Sequence, residues 1–342
     1  MTTVQDTIAP LVEVTRGDRV ESLHLGTIVV SDAARGVIAT AGNPENFAYF
    51  RSSGKPFQAI PIVESGAAES FGLTPAELAL CCASHYAEPS HQSQVVALLA
   101  KLGLSPDDLK CGMAYPMDED EASRIRLGIT QQSPLQCDCS GKHAGMLAVC
   151  QQLHYPIDSY LEPNHPLQIE IRRIMAEVLR TPDGELELGV DGCSVPTFGS
   201  SIASFAMAYA AFADPMAAGS RHTEALNRLR TAMTTHPENV SGTGSFVTEL
   251  MTVSQGRIVA KSGAEGLICL GIPEASMGIA IRVADGSFRS HPEIVLSTLQ
   301  QLDTLDRGLT DAIETICASE LHNHNGWIVG AQRAVFSLTS VA

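Results

Sequence analysis

The sequence predicts an α+β fold, with an antiparallel sheet built from both chain ends and a helical middle region. Three observations point to it. Short β-rich segments cluster in the first fifty or so residues and return beyond about residue 255. Helical periodicity and helix-start signals fill the stretch between. Strands and helices do not alternate as they would in repeating βαβ units, which disfavours a parallel sheet. Residues 1–342 are expected to form a single domain, with a sheet subregion at roughly 10–50 and 255–342 and a helical subregion at roughly 55–250.

Taken in order, Val12 to Arg16 and Val20 to Val30 read as strands, Ala33 to Gly36 as a turn, and Val37 to Ala41 as the returning strand. Gly42 to Glu45 is a loop. Pro56 to Glu64 is helical, and Thr74-Pro75-Ala76-Glu77 is a strong helix start: an N-cap threonine, a proline at the first position and an acid at the third. Val95, Val96, Leu98, Leu99 and Leu102 make one helical face between Ser90 and Leu102. Ser105 opens a short helix, and Gly145–Leu153, Pro166–Leu179, Ser200–Phe212 and Arg221–Thr234 fit helices. Gly189 to Gly199 reads as a flexible turn region suited to a pocket wall. Strands follow at Arg257–Lys261, Gly266–Leu270 and Met277–Ala284, helices at Glu293–Leu302 and Leu309–Ile316, and closing strands at Trp327–Val329 and Ala334–Leu338. The loops at Thr181–Glu185 and Asp214–Ser220 are the boundary candidates.

Composition narrows the function classes. The net charge of -16 repels phosphate backbones, which argues against nucleic acid as a partner. No apolar run is long enough to span a membrane, and acids scattered through Met1 to Val20 disfavour an export signal. An odd count of nine cysteines fits free thiols in a reducing, cytoplasmic setting better than a disulfide framework.

Lysine is scarce and therefore informative. There are five: Lys55, Lys101, Lys110, Lys142 and Lys261. Lys101 and Lys110 have plain surface contexts, whereas the other three sit beside glycine and serine, in Ser52-Ser53-Gly54-Lys55, Ser140-Gly141-Lys142 and Lys261-Ser262-Gly263. Ser52 and Lys55 are one helical turn apart, so a neutral amine there could draw the proton from the hydroxyl and create a nucleophile. That requires a lowered lysine pKa. Alone the spacing is weak. It gains specificity from its order: Ser52-x-x-Lys55 first, Ser84-His85-Tyr86 after a helix, and Lys261-Ser262-Gly263 late on a strand, the sequence of elements seen in serine acyl-enzymes of the S-x-x-K type.

Thiols supply a second cluster. Cys139-x-x-Lys142-His143 and Asp191-Gly192-Cys193 bring cysteines among glycines; two thiolates and a nitrogen could hold zinc, although the spacing is not that of a zinc finger and buried structural thiols read as the commoner outcome. A reactive Cys139 thiolate beside Lys142 is a further reading. No H-E-x-x-H arrangement occurs. Ser241 to Ser245 lacks the lysine of a phosphate loop and reads as a substrate or lid loop, and Asp118 to Glu121 as a solvated acidic face.

At these residues the chain resembles the rhizobial-type L-asparaginases, also called the asparaginase II or thermolabile family. The matching stretches are RSSGKPFQAIP from Arg51, ELALCCASHYAEPSH from Glu77, KCGMAYP from Lys110, CSGKHAGML from Cys139, VDGCSVPTFG from Val190, HPENVSGTG from His236 and AKSGAEG from Ala260. The resemblance implies a fold similar to serine β-lactamases and glutaminases, and a homodimer. It implies two Ser-Lys tandems, Ser52 with Lys55 and Ser84 with Lys261. It implies zinc bound through Cys139, Lys142 and Cys193, assisting substrate binding rather than the chemistry. Arg51, His143, Asp191 and Gly263 are expected to contact substrate. Ser245 and Val247 depart from the family, which often carries a charge near them.

The expected reaction is hydrolysis of L-asparagine to L-aspartate and ammonia through a serine acyl-enzyme, with Lys55 deprotonating Ser52. A glutaminase, a β-lactamase or peptidase on the same scaffold, and a non-catalytic amino-acid-binding or zinc-binding protein are the alternatives. Fold alone does not separate them.

Overall fold

A computed structural model describes residues 8–341. The reading of Met1 to Val20 as free of an export signal therefore falls partly outside the described residues. The strands, in chain order, are β1 (Ala9–Arg16), β2 (Arg19–Asp32), β3 (Gly36–Ala41), β4 (Phe47–Tyr49), β5 (Glu187–Val190), β6 (Pro196–Ser201), β7 (Val259–Gly263), β8 (Leu267–Ile272), β9 (Met277–Val283), β10 (Glu320–His322), β11 (Ile328–Ala334) and β12 (Thr339–Ser340). The chain forms two compact units: Met1–Ala48 with Ser201–Gly219 and Glu249–Ala342, and Tyr49–Ser200 with Ser220–Thr248. The architecture is α+β, with an antiparallel sheet drawn from both chain ends.

In the first unit the sheet runs β10-β11-β1-β2-β9-β8-β7, with β3 joining β2 and β12 joining β3. The long β2 organises it. Its first half pairs with β1 and its second half with β3, while residues 26–32 also pair with β9, so Ile28 meets both Ala41 and Ile281. This central region is apolar and closed to solvent: Ile28, Val29, Val30, Ile268, Leu270, Ile279 and Ile281 are all fully buried. The helix Ile202–Ala213 packs on it, which brings Ser201–Gly219 into the sheet unit although the sequence places this stretch within the helical region. Close approach requires glycine: a Cβ on Gly278 of β9 would lie 2.1 Å from both the Ala206 carbonyl oxygen and the Ala210 nitrogen of that helix.

The second unit is mainly helical. Two short helices, Lys55–Gln58 and Ile60–Glu64, replace the single predicted helix, and Pro61, which lacks an N–H, sits at the start of the second. Pro75–Cys81 begins as predicted: Thr74 accepts from the Glu77 N–H, and the Glu77 carboxylate accepts from the Thr74 N–H. Helix Ser140–Leu153 starts five residues before the predicted Gly145. Its glycines are contact residues, not breakers, for a Cβ on Gly141 would come within 2.4 Å of the Leu80 carbonyl oxygen. The stretch read as a turn region instead forms the β5–β6 hairpin, with Leu188 opposite Phe198. The exposed, glycine-containing β5 has no alternation by which to recognise it.

At the C-terminus the closing strands are shifted from the predicted Trp327–Val329 and Ala334–Leu338: β11 runs unbroken through Ile328–Ala334 and β12 is Thr339–Ser340. β11 ends at Ala334, and residues 335–338 leave the ladder: Val335 donates to the Leu11 carbonyl and Leu338 to the Gln301 side chain. Among the described residues no helix is long and apolar enough to cross a membrane.

Candidate active site

Most of the predicted site residues lie in the helical unit. Ser52 and Ser53 form a 3-10 turn, Arg51–Gly54, immediately before the helix that opens with Lys55. Arg51 enters this turn in the left-handed region at φ 47°, a conformation unusual for a residue with a side chain. The turn aims the Lys55 amine inward, where it is fully buried.

The Lys55 amine donates to the Ala83 carbonyl at 2.6 Å and to Ser84 Oγ at 2.9 Å, and lies 3.3 Å from a carboxylate oxygen of Asp138. Ser52, one turn back, is not among its partners. The segment bearing Ser84 leaves helix Pro75–Cys81 in extended form beside the loop after helix Pro237–Val240: Ser84 donates its N–H to the Val240 carbonyl and Tyr86 to that of Ser241. The glycine-rich stretch 241–245 thus flanks Ser84. Glu88 holds it by accepting from the Thr243 N–H at 2.7 Å and its hydroxyl at 3.1 Å. Ser245, one of the departures from the family pattern, accepts from the Thr248 N–H and so caps the next helix; Val247 is buried.

Burial pulls the Lys55 amine toward neutrality, but the anionic Asp138 and Cys139 outweigh it and hold its pKa above the ordinary lysine value. The free protein therefore carries an ammonium here, whereas a general base needs a neutral amine. Asp138, about one-third exposed at its side chain, is the missing member of the predicted set. Its only mark in the sequence is its place between two cysteines, Cys137-Asp138-Cys139.

The thiol cluster assembles on the N-terminal end of helix Ser140–Leu153. Cys139 stands at its N-cap and Lys142 in its first turn. Cys193 comes from the β5–β6 turn, and its sulfur lies 3.0 Å from the Lys142 amine. Hydrogen bonding from Cys139, then the charge of Lys142, brings the Cys193 thiol down to about 5 against the opposing effect of burial. Cys139 falls to about 7, first through its hydrogen bond with Cys137. Lys142, which burial alone would neutralise, is held above the ordinary range by Cys193, Cys139 and Asp191. The donor chemistry fits a borderline-soft cation such as zinc: two sulfurs that ionise readily and an amine that a metal would have to deprotonate. A neighbouring donor set, Cys137, Asp138 and Cys139, has its ligand atoms within 4.8 Å of one another.

Arg51 and Asp191 meet directly, with Nε 2.7 Å from Oδ1, and Asp191 also accepts from the Gly192 N–H. His143 is fully buried, and burial takes its imidazole down to about 3. His85 is equally buried and falls to about 3 for the same leading reason. Because His85 Nδ1 accepts from the Ala87 N–H, Nε2 carries the proton and donates to Ser140 Oγ at 2.8 Å. Lys261 and Gly263 belong to the sheet unit, on β7. Lys261 is fully buried there, and its amine donates to the Ser262 carbonyl at 2.9 Å.

No curated protein matches the chain. A solved β-lactamase from Mycobacterium bovis is similar at 15% identity with a TM-score of 0.41, over 81% of this chain and 94% of that one. Native Mglu is similar at 12% identity with a TM-score of 0.42, over 84% of this chain and 62% of that one, so this chain spans less than two thirds of Mglu. The L-asparaginase II family matches from residue 12 to residue 334, a stretch that holds every candidate site residue, and the chain belongs to that family.

Proposed function

We propose that this protein is an amidohydrolase that converts L-asparagine to L-aspartate and ammonia through a serine acyl-enzyme. Family membership supports an asparaginase-type function. The observation that carries the mechanism is the fully buried Lys55 amine bonded to Ser84 Oγ at 2.9 Å, with Ser52 one turn back.

A serine oxygen attacks the side-chain carbonyl carbon of asparagine, and its proton goes to the Lys55 amine. To accept it, Lys55 must first lose a proton, and Asp138, 3.3 Å away and partly open to solvent, offers the path. The resulting ammonium then protonates the departing nitrogen, so ammonia leaves and a serine ester remains. Water hydrolyses that ester to aspartate. Ser52 is the nucleophile expected from the family pattern, with Ser84 passing protons. The direct Lys55–Ser84 bond favours a second reading, in which Ser84 is the nucleophile. The family pattern also pairs Ser84 with Lys261, and that tandem stays part of the proposal. Zinc, if bound, would be held by Cys139, Lys142 and Cys193, and would supply a fixed positive charge to anchor the substrate. Arg51 and Asp191 offer paired charges for the α-carboxylate and α-ammonium of an amino acid.

Purified protein should release ammonia from asparagine, far more slowly from glutamine, and not open a chromogenic β-lactam. Mass spectrometry of rapidly quenched Ser52→Ala and Ser84→Ala variants assigns the acyl group. Full turnover by both variants, or no ammonia from asparagine, would defeat the proposal.

A further inference from the structure

The two nitrogens of His143 have unlike environments. Nδ1 lies 2.7 Å from the hydroxyl of Tyr160, in an edge-on contact of the two rings. Nε2 is buried and has no hydrogen-bond partner among the described residues. Tyr160 is itself fixed at both ends. Its hydroxyl accepts from the Lys110 N–H at 2.9 Å, and its backbone carbonyl accepts from Gln168 at 2.8 Å. With the Lys110 N–H already on the oxygen, the hydroxyl is free to direct its own proton to Nδ1, an assignment that puts the imidazole proton on Nε2. An N–H donor buried without a partner costs about 1–3 kcal/mol, and a native structure keeps one where a ligand or an ordered water completes it. The groups whose charges reach this imidazole are Lys142, Cys139, Lys55 and Asp138, the members of the site above.

We infer that Tyr160 is a positioning residue: it locks His143 as the Nε2–H tautomer and so presents a neutral, pre-oriented donor to a carbonyl or carboxylate oxygen of the bound amino-acid amide. The inference rests on the amidohydrolase reading for the identity of that ligand. A neutral donor suits the position because the charges of Lys142 and Lys55 both reach this imidazole, and a third cation would oppose them. It also explains why a phenol that lies in none of the predicted motifs is buried against the first turns of helix Ser140–Leu153.

The test uses the full chain labelled with 15N at histidine. In the wild-type protein, His143 should show a protonated Nε2 and an unprotonated Nδ1, and the Nε2 resonance should move when L-aspartate is added. Tyr160→Phe keeps the ring and deletes the hydroxyl; it should mix or invert the tautomers and raise KM for asparagine by about tenfold, the value of one hydrogen bond, with a smaller change in kcat. His143→Gln, which can place an N–H near the same point, should recover more activity than His143→Ala. A wild-type Nδ1–H tautomer overturns the inference without any variant. So does a Tyr160→Phe protein with altered thermal stability but unchanged tautomer and KM, the signature of a merely structural tyrosine. If wild-type protein releases no ammonia from asparagine, the amidohydrolase reading fails, while the nitrogen shifts and their response to aspartate still decide the tautomer and its ligand.

Discussion

Each of the two units buries a lysine completely, and the surroundings of the two differ. Lys261 stands on a strand of the sheet unit, whose interior is built mainly from apolar side chains such as Ile28, Ile268 and Ile281. Lys55 belongs to a unit that encloses a polar cluster: Lys142, His85, His143 and the thiols Cys139 and Cys193 are all buried near the same helix start. The first unit gains stability from removing apolar surface from water. The second holds charges that are tolerable only while each keeps its partners, because an uncompensated buried charge costs several kcal/mol. Strain on the sheet should therefore appear as lost stability with the chemistry intact, and changes in the polar cluster as lost chemistry.

The largest expected effect comes from Lys55→Met. If the amine carries protons as proposed, kcat should fall by on the order of 10²–10⁴, measured as ammonia release, while the sheet unit keeps its cooperative melt. A variant retaining more than a tenth of wild-type kcat would erase the contrast.

Gly278→Ala should act in the opposite sense. Its new methyl meets backbone atoms of helix Ile202–Ala213 at 2.1 Å, and backbone cannot rotate away. A loss of roughly 1–3 kcal/mol or more in unfolding free energy is expected, read as a lower denaturation midpoint, with KM nearly unchanged. Loss of activity at full stability would contradict it.

Acid should weaken the sheet unit through His291. Burial lowers this imidazole to about 4, although its Nε2 proton is shared with the Gly266 carbonyl. The unfolded chain binds the proton near the ordinary imidazole value of about 6.5, and the folded chain resists until about 4. Stability is therefore complete above pH 6.5 or so and is lost as the pH falls toward 4, by on the order of 3 kcal/mol from this residue. Denaturant titrations across that window should show the decline, and His291→Gln should flatten part of it. An unchanged slope in the variant would remove His291 from the account.

The smallest effect is expected at Thr74→Ala, which deletes the cap of helix Pro75–Cys81 in the helical unit. About 1 kcal/mol of stability should go, with no change in kcat. A large loss of turnover would mean that this cap helps position Ser84 three residues beyond the helix.

Much of this molecule is legible in one dimension because the physics behind it is local. Strand alternation from Val12 to Ala41, the Thr74–Glu77 cap and the glycine-flanked lysines depend on neighbours within a turn or two, and the sequence marks each of them. The family motifs likewise mark Lys55, Ser84, Lys142 and Cys193 as a set. What the chain order cannot carry is partnership across distance. Ser52 and Lys55 are neighbours in sequence, yet the amine bonds Ser84, brought over by the pairing of Ser84 and Tyr86 with residues 240 and 241. Asp138 sets the charge of Lys55, and Tyr160 sets the tautomer of His143, from positions with no spacing signal. Whether a buried lysine is neutral depends on which anions the fold places beside it, and only tertiary structure decides that, because Coulomb energies follow distance in space and not along the chain.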